Sequence, residues 1–373
     1  MAILIFLYKL VLRFIYYFLK LLPVDPHKVV FLSRNFDSPP LDFRLLENEL
    51  KNNRPNIKTI FLTKRIRRNI FSLISYFFHT IRQLYHIATT NVCVLDSYII
   101  PISILKHKKS LKIIQIWHAM GAIKKFGYQT LNSRYGRKAR LSRMMHMHEK
   151  YDYVISGSPA MIPFFRQAFN ALESKFIPCG LPRIDYIVSM SDSISKRIKN
   201  RYPELSDKPL ILYVPTFRIE QDNGIEELVN HIDFDKYTLI IRKHPNDKRE
   251  YNDDRVAKID GFSSMELLTV ADYVITDYSA ISIEAAALEK LVYLYVYDYD
   301  RYFESNGLNI DLSEELPGCV FGDAAALIDD IKSNQYNHES IRSFRDKYVT
   351  NKGDSAQQIC RLIFSCLEQE PTR

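Results

Sequence analysis

Short apolar runs alternate with longer segments of helical spacing along most of this chain. Residues 28–32, 59–62, 92–96, 112–116 and 153–156 are rich in Val, Ile, Leu and Phe, the composition of strands buried on both faces. Residues 45–50 and an aromatic stretch reaching Tyr85 fill two intervals with helical spacing, and another helix opens near Ser158. A second series of strands follows at 210–214, 239–241, 273–275 and 292–294, and a last helix is expected over about 355–367. Strands alternating with helices build parallel, doubly wound sheets. The expected fold class is therefore α/β, with two Rossmann-like domains facing a cleft, residues 25–185 in the first and 186–373 in the second. The Pro- and Gly-containing segment 176–183 reads as the hinge.

Residues 1–24 break this alternation. They are apolar around most of a helical wheel, with Lys9, Arg13 and Lys20 on one stripe at spacings of four and seven. Three internal charges make a membrane-spanning helix costly, and no small-residue cleavage site follows to mark a signal peptide. The pattern fits an amphipathic helix lying on an anionic membrane surface, its basic side chains snorkelling toward lipid. A net charge of +8 also favours anionic partners. Nucleic acid is the poorer fit, because neither an RNP-type aromatic motif nor an Arg/Gly-rich segment is present. Five scattered cysteines without a CxxC pair argue against a disulfide framework or a zinc site.

Polar chemistry gathers where strands end. After 112–116 comes WHAMGAIKKFG, which puts His118 at the carboxyl end of a parallel strand, where active sites of such sheets lie. An imidazole there can act as a general base near neutral pH. Gly121 permits close backbone approach, and Lys124 or Lys125 can meet a phosphate. The strand at 210–214 ends in Pro215-Thr216-Phe217-Arg218, and that at 239–241 in Arg242-Lys243-His244-Pro245. The strand at 273–275 runs into Asp277-Tyr278-Ser279-Ala280 and an Ala-rich helix carrying Ser282 and Glu284. Such a strand, turn and helix start can bind an anion, with Ser279 and Ser282 hydroxyls as added donors and Glu284 suited to ribose hydroxyls. Any one of these strand ends could be ordinary solvated charge or a helix cap. Three on one sheet edge read as a nucleotide-diphosphate site. No carboxylate cluster demands a tightly bound metal, although a loosely held Mg²⁺ is compatible with the sequence.

In chain order, WHAMGAIKKFG, GLPRID, ILYVPTFR, IIRKHP, ADYVITDYSAISIE and YVYDYDRYFESNGLNIDLSEELPG make the chain resemble the CDP-glycerol glycerophosphotransferase family of teichoic acid synthesis, over about residues 110–355. The resemblance implies a GT-B fold and a peripheral position at the cytoplasmic face of the cell membrane. It implies CDP-glycerol as donor, an undecaprenyl-diphosphate-linked disaccharide as acceptor, and no tightly bound cofactor; it leaves the oligomeric state open. Carried over by motif, His118 and His244 would be catalytic. Gly121, Arg183, Pro215, Thr216, Arg218, Arg242, Lys243, Ser279, Ala280 and Glu284 would bind the donor. The polymerases carry a WHGTPLK-like first motif, whereas WHAMGAIKKFG looks more like the priming enzymes that add the first glycerol phosphate. Ala280 stands where a second Ser is common, and Glu284 where Asp is frequent, so a donor contact and a reach differ there. A polymerase extending poly(glycerol or ribitol phosphate) and a GT-B nucleotide-sugar transferase are the alternatives.

Overall fold

The apolar runs form two sheets, both wholly parallel. The first joins β1 (Lys28–Ser33), β2 (Lys58–Thr63), β3 (Val92–Leu95), β4 (Lys112–Gln115), β5 (Tyr153–Ile155) and β6 (Phe176–Ile177) in the order β2-β1-β3-β4-β5-β6. The second joins β7 (Leu210–Tyr213), β8 (Thr238–Ile241), β9 (Tyr273–Thr276), β10 (Leu291–Tyr295) and β11 (Val320–Phe321) in the order β11-β10-β9-β7-β8. This computed structural model describes residues 2–67, 69–134, 136–218, 224–244, 246–247, 249 and 251–368. Every residue of β1 and β3 is buried, as expected for strands covered on both faces. That includes Lys28, whose Nζ donates to Thr89 Oγ1 at 2.5 Å. The segment read as a hinge begins as β6, an edge strand whose Phe176 pairs with Val154. β6 and β11 are two residues long, too short to show any periodicity.

The chain divides into two compact units. One comprises Met1–Ala119, Gly127–Arg183 and Asp354–Arg373; the other comprises Met120–Phe126 and Ile184–Gly353. Ile184 thus opens the second unit instead of residue 186, and the last helix, Ser355–Glu368, belongs to the first unit and not to the second as expected. That helix buries Ile359, Cys360, Ile363, Cys366 and Leu367, one stripe of a 3.6-residue period. It packs on α2 (Leu41–Asn53), with the Cys360 thiol 3.7 Å from the Leu46 carbonyl oxygen and Arg54 4.3 Å over the Phe364 ring.

α1 (Ala2–Leu19) lies against the first unit through Leu12 and Tyr16, the latter bonded to His107 Nδ1 at 2.8 Å. The basic stripe expected to reach toward lipid is partly turned to the protein. Lys9 Nζ donates to the Met144 carbonyl at 2.7 Å, and Arg13 and Lys20 border a recess with Lys106, His146 and Glu149. Tyr16 anchors α1 on that same side, so the cations follow it inward. α3 (Ile70–Ala88), capped by Asn69, packs beside α1. Among the described residues, no helix is long and apolar enough to cross a membrane.

Candidate active site

In an open parallel sheet, ligands bind beyond the carboxyl ends of the strands where strand order reverses. In the first sheet that point lies between β1 and β3, with β4 next to it. β1 delivers Arg34 and Asn35, β3 delivers Asp96, Ser97 and Tyr98, and β4 delivers Trp117 and His118. His118 Nδ1 is 3.0 Å from the Asp96 carbonyl oxygen and 3.4 Å from Asn35 Nδ2. A carbonyl oxygen only accepts, so this contact assigns the proton to Nδ1 and leaves Nε2 with its lone pair. The half-buried ring has its pKa pushed down to about 4 by burial, with the Asp96 carbonyl opposing and Arg183 and Arg34 reinforcing. It is therefore neutral at pH 7. Trp117 enters the turn at φ 57°, a left-handed conformation unfavourable for a side chain of this size, and its ring centroid lies 5.1 Å from that of Phe169.

Arg183, expected among the donor-binding residues, lies in the first unit beside His118. Its backbone N–H donates to Asp42 Oδ1 at 2.8 Å, its Nε to Asp42 Oδ2 at 2.6 Å, and its Nη1 to the His118 carbonyl at 3.0 Å. It braces the backbone that carries His118. The GLPRID motif is split, because Asp185 belongs to the second unit and accepts there from Asn351 Nδ2 at 2.9 Å and Gly353 N at 3.0 Å.

Asp96 is 1% exposed, and neither carboxylate oxygen has a well-formed hydrogen bond. Burial raises its pKa to about 6, against the Ser33 and Ser97 hydroxyls and Arg183. A carboxyl whose folded pKa lies above its unfolded one is stabilising when protonated, and that contribution disappears as pH rises through about 6. Asp96→Asn is therefore expected to raise the melting temperature at pH 7, with the advantage fading toward about pH 4. His118, with its depressed pKa, acts in the opposite sense: its contribution is lost as pH falls from about 6.5 toward 4 in either protein, and so cancels in the comparison. A difference between wild type and variant that stays constant across this range would contradict the assignment.

In the second sheet the order reverses between β7 and β9. Thr216 follows β7, Asp277 follows β9, and the two meet across the switch point. Asp277 accepts from Thr216 N at 2.9 Å, Thr216 Oγ1 at 2.5 Å and Arg218 Nη1 at 2.6 Å. Arg218 also grips Asp298 through Nε at 3.0 Å and Nη2 at 2.9 Å, and Tyr278 Oη donates to the same carboxylate at 3.0 Å. Side-chain exposures of 3%, 1% and 4% for Arg218, Asp277 and Asp298 make this a buried triad. Burial works against the Arg218 charge, but Asp277 and Asp298 outweigh it and hold its pKa above the ordinary value. Tyr278 and Tyr302 stack at 3.9 Å beside the guanidinium. The Arg218 fork and the Thr216 hydroxyl, both expected at the donor, are thus engaged by carboxylates of the chain itself. Pro215 links Thr216 to Val214, whose N–H extends the ladder to Ile275 O at 2.9 Å.

The other expected residues divide between bracing and presentation. Arg242 Nη2 donates to the Phe262 carbonyl at 3.0 Å and also to that of Ile259, so it holds the 259–262 loop. Lys243 Nζ donates to the Arg249 carbonyl. His244 is exposed, and its Nδ1 accepts from Asn246 N at 3.1 Å, which assigns the proton to Nε2. Pro245 lies outside the described residues. In the turn after β9, Ser282 Oγ donates to the Ser279 carbonyl at 2.9 Å, so its hydroxyl is not available to phosphate as expected. Ser279 is half-buried, and its Oγ accepts from Ile281 N at 3.4 Å. Ala280 caps the helix Ile281–Ala287 without a side-chain bond, and Glu284 lies in its first turn at 9% exposure.

Gly121, buried, and Lys124 reach the second unit through Met120–Phe126, which Asn309 fastens by donating to Ile123 O at 2.8 Å and Ala122 O at 2.7 Å. Burial lowers the Lys124 pKa, with Asp277 opposing and Arg218 reinforcing, which puts its ammonium within electrostatic reach of the triad. Among the described residues, no hydrogen bond or ion pair joins that ammonium. Asp42, Asp96, Asp277 and Asp298 are not among the site residues expected from the sequence. The available signal was that an arginine at the end of an apolar strand needs a carboxylate when it is buried. Among the described residues, no three His, Cys, Asp or Glu side chains are grouped to hold a metal ion.

Two parallel sheets, each with its charged and hydroxyl groups collected where strand order reverses, define an α/β protein with its chemistry at the carboxyl ends of the strands. The chain belongs to the CDP-Glycerol:Poly(glycerophosphate) glycerophosphotransferase family, whose profile matches residues 14–365, and is accordingly a transferase. It is 30% identical over 363 residues to the teichoic acid ribitol-phosphate primase of Bacillus spizizenii, covering 93% of each chain. It is 30% identical over 296 residues to the teichoic acid glycerol-phosphate primase of Bacillus subtilis, covering 76% of each. A solved structure of a variant of the wall teichoic acid polymerase TagF soaked with CDPG shares the fold, with a TM-score of 0.71 at 21% identity over 92% of this chain and 90% of that one.

Proposed function

We propose that this protein transfers glycerol phosphate from CDP-glycerol to an undecaprenyl-diphosphate-linked disaccharide, priming wall teichoic acid and releasing CMP. In this reading the two units are the halves of a GT-B enzyme that needs no tightly bound cofactor. The observation that carries it is the opposite tautomers of the two histidines. His118 keeps its Nε2 lone pair, and on His244 the proton is assigned to Nε2. A bare imidazole nitrogen takes the proton of an acceptor hydroxyl, while an N–H donates to a phosphoryl oxygen. The acceptor oxygen bonds to the β-phosphorus as the bond from that phosphorus to the bridging oxygen breaks. The electron pair leaves with CMP, and the hydroxyl proton passes to His118 Nε2. Lys124 adds positive charge for the diphosphate, and Glu284 accepts from ribose hydroxyls. The rest of the catalysis is positioning.

Priming is supported by the WHAMGAIKKFG motif and by the two relatives, both of which are named primases. A second reading follows from the relative that covers 93% of the chain: it is named for ribitol phosphate, so CDP-ribitol is the rival donor. Nucleotide release, read as CMP from CDP-glycerol or CDP-ribitol and as UDP from UDP-N-acetylglucosamine, each with the lipid-linked disaccharide, separates these. Acceptor-dependent CMP from CDP-glycerol supports the proposal. CMP from CDP-ribitol alone supports the second reading, and turnover of the UDP-sugar alone would overturn both.

The same reading makes the protein peripheral at the cytoplasmic face of the cell membrane. Ile3, Phe6, Leu10 and Phe14 of α1 and Phe71, Ile74 and Phe78 of α3 are exposed on two helices in contact, Phe71 to 82%. Each apolar side chain moved from water into lipid is worth about 1.5–3 kcal/mol. Removing residues 2–22 is therefore expected to weaken binding to phosphatidylglycerol vesicles by roughly a hundredfold or more. Turnover of a short-chain, water-soluble acceptor should stay near wild type. Sedimentation with vesicles gives the answer, and unchanged binding would put the anchor on another surface.

A further inference from the structure

We propose that Arg34 and Arg137 form a binding site for a phosphate group carried by the acceptor, beside the hydroxyl that His118 faces. The site rests on the reading of the first unit as the acceptor side. Both guanidinium carbons approach the same ring: Arg34 lies 5.0 Å and Arg137 5.4 Å from the Tyr98 centroid. Arg34 is half-buried. Among the described residues, no carboxylate pairs with either guanidinium and neither makes a side-chain hydrogen bond. Burial lowers the Arg34 pKa and Arg137 reinforces it, with only the hydroxyls of Tyr76, Tyr98 and Tyr151 opposing. The other half-buried or buried arginines at the two switch points behave differently, since Arg183 is held by Asp42 and Arg218 by Asp277 and Asp298. Two like charges gathered on one ring without a counter-charge are unfavourable unless an anion completes them.

The place of the pair fits an acceptor. Arg34 follows β1 and Tyr98 follows β3, so the guanidinia gather at the switch point of the first sheet. The backbone N–H of Arg34 donates to Ser97 Oγ at 3.2 Å, next to Asp96, whose carbonyl orients His118. Asn35, the next residue, approaches His118 Nδ1 at 3.4 Å. Arg34 also depresses the His118 pKa, and Arg34 and Arg137 together depress that of His148, so the cluster is electrostatically continuous with the base. A planar guanidinium fork matches the oxygens of a phosphate, and two forks on one aromatic ring suit a group with several anionic oxygens. In the proposed reaction that group is the diphosphate of the lipid; the same chemistry would be presented by a polyol phosphodiester on the sugar of a chain already begun.

Three water-soluble acceptors built on one disaccharide distinguish them: a phosphate-free alkyl glycoside, the same disaccharide with a short-chain diphosphate, and the alkyl glycoside bearing a terminal glycerol phosphodiester. Steady-state kinetics of wild type, Arg34→Gln and Arg137→Gln should show KM for a phosphate-bearing acceptor rising by about tenfold or more. KM for CDP-glycerol and for the phosphate-free acceptor should not move. A rise confined to the diphosphate acceptor assigns the site to the lipid, and one confined to the phosphodiester assigns it to a chain already begun. Exposed Arg137 gives a variant that keeps the fold if Arg34→Gln does not. Equal KM changes on all three acceptors, or a raised KM for CDP-glycerol, would overturn the proposal. If the wild type turns over no CDP-polyol, calorimetric titration with the same acceptors still reads the site. Binding of a phosphate-bearing acceptor that weakens in both variants upholds the site while the proposed function fails, and binding indifferent to both arginines ends the proposal.

Discussion

Turnover by His118→Ala is expected to fall by about 10²–10⁴-fold, the usual contribution of a general base. The reason lies in how the ring is held. The Asp96 carbonyl fixes the proton on Nδ1, so Nε2 has nothing to do but accept. Burial keeps the ring neutral, with a pKa of about 4, so the base is available across the physiological range and its loss is felt at every pH above about 5. His118 sits in the first unit, whereas the groups read as donor-binding, Lys124, His244, Ser279 and Glu284, belong to the second. Affinity for CDP-glycerol, read by calorimetry, should therefore survive the substitution. The melting temperature should change little, because the half-buried ring makes few side-chain hydrogen bonds. Near-normal turnover in a folded His118→Ala protein would remove His118 as the base.

Asp277→Ala should have the largest effect on stability. It removes one of two carboxylates from a guanidinium with a side-chain exposure of 3%, and it leaves the Thr216 hydroxyl and N–H without their acceptor. Breaking a buried ion pair by deleting one partner costs about 3–5 kcal/mol, because the remaining charge stays buried without its counter-charge. Asp277→Asn should lose less, since the amide oxygen can still accept from Thr216. Denaturant unfolding measures both, and a loss below about 1 kcal/mol for the alanine variant would show that Asp298 alone satisfies Arg218.

PTFR and TDYSAIS were legible as strand ends because the runs before them, β7 and β9, are apolar and buried. Their side chains were read as meeting a phosphate. Instead Arg218 meets Asp277 and Asp298, 59 and 80 residues further along, and no local pattern announces a pairing at that distance. His118 was legible for the same reason as the strands, since it follows β4 directly. Its tautomer was not, because that depends on the Asp96 carbonyl, 22 residues earlier, brought alongside by the β3–β4 pairing. The helix Ser355–Glu368 was found from its period within a residue or so, yet its apolar stripe does not say that α2 is the surface it covers. β6 and β11, two residues each, carry no period at all.

In the proposed reaction each lipid-linked sugar receives one glycerol phosphate. Mass spectrometry of the lipid-linked disaccharide after incubation with excess CDP-glycerol tests it most directly. One added glycerol phosphate per acceptor, with an equal amount of CMP, is the predicted result. A ladder of products would contradict priming and mark a polymerase, and an acceptor recovered unchanged would contradict the transfer itself.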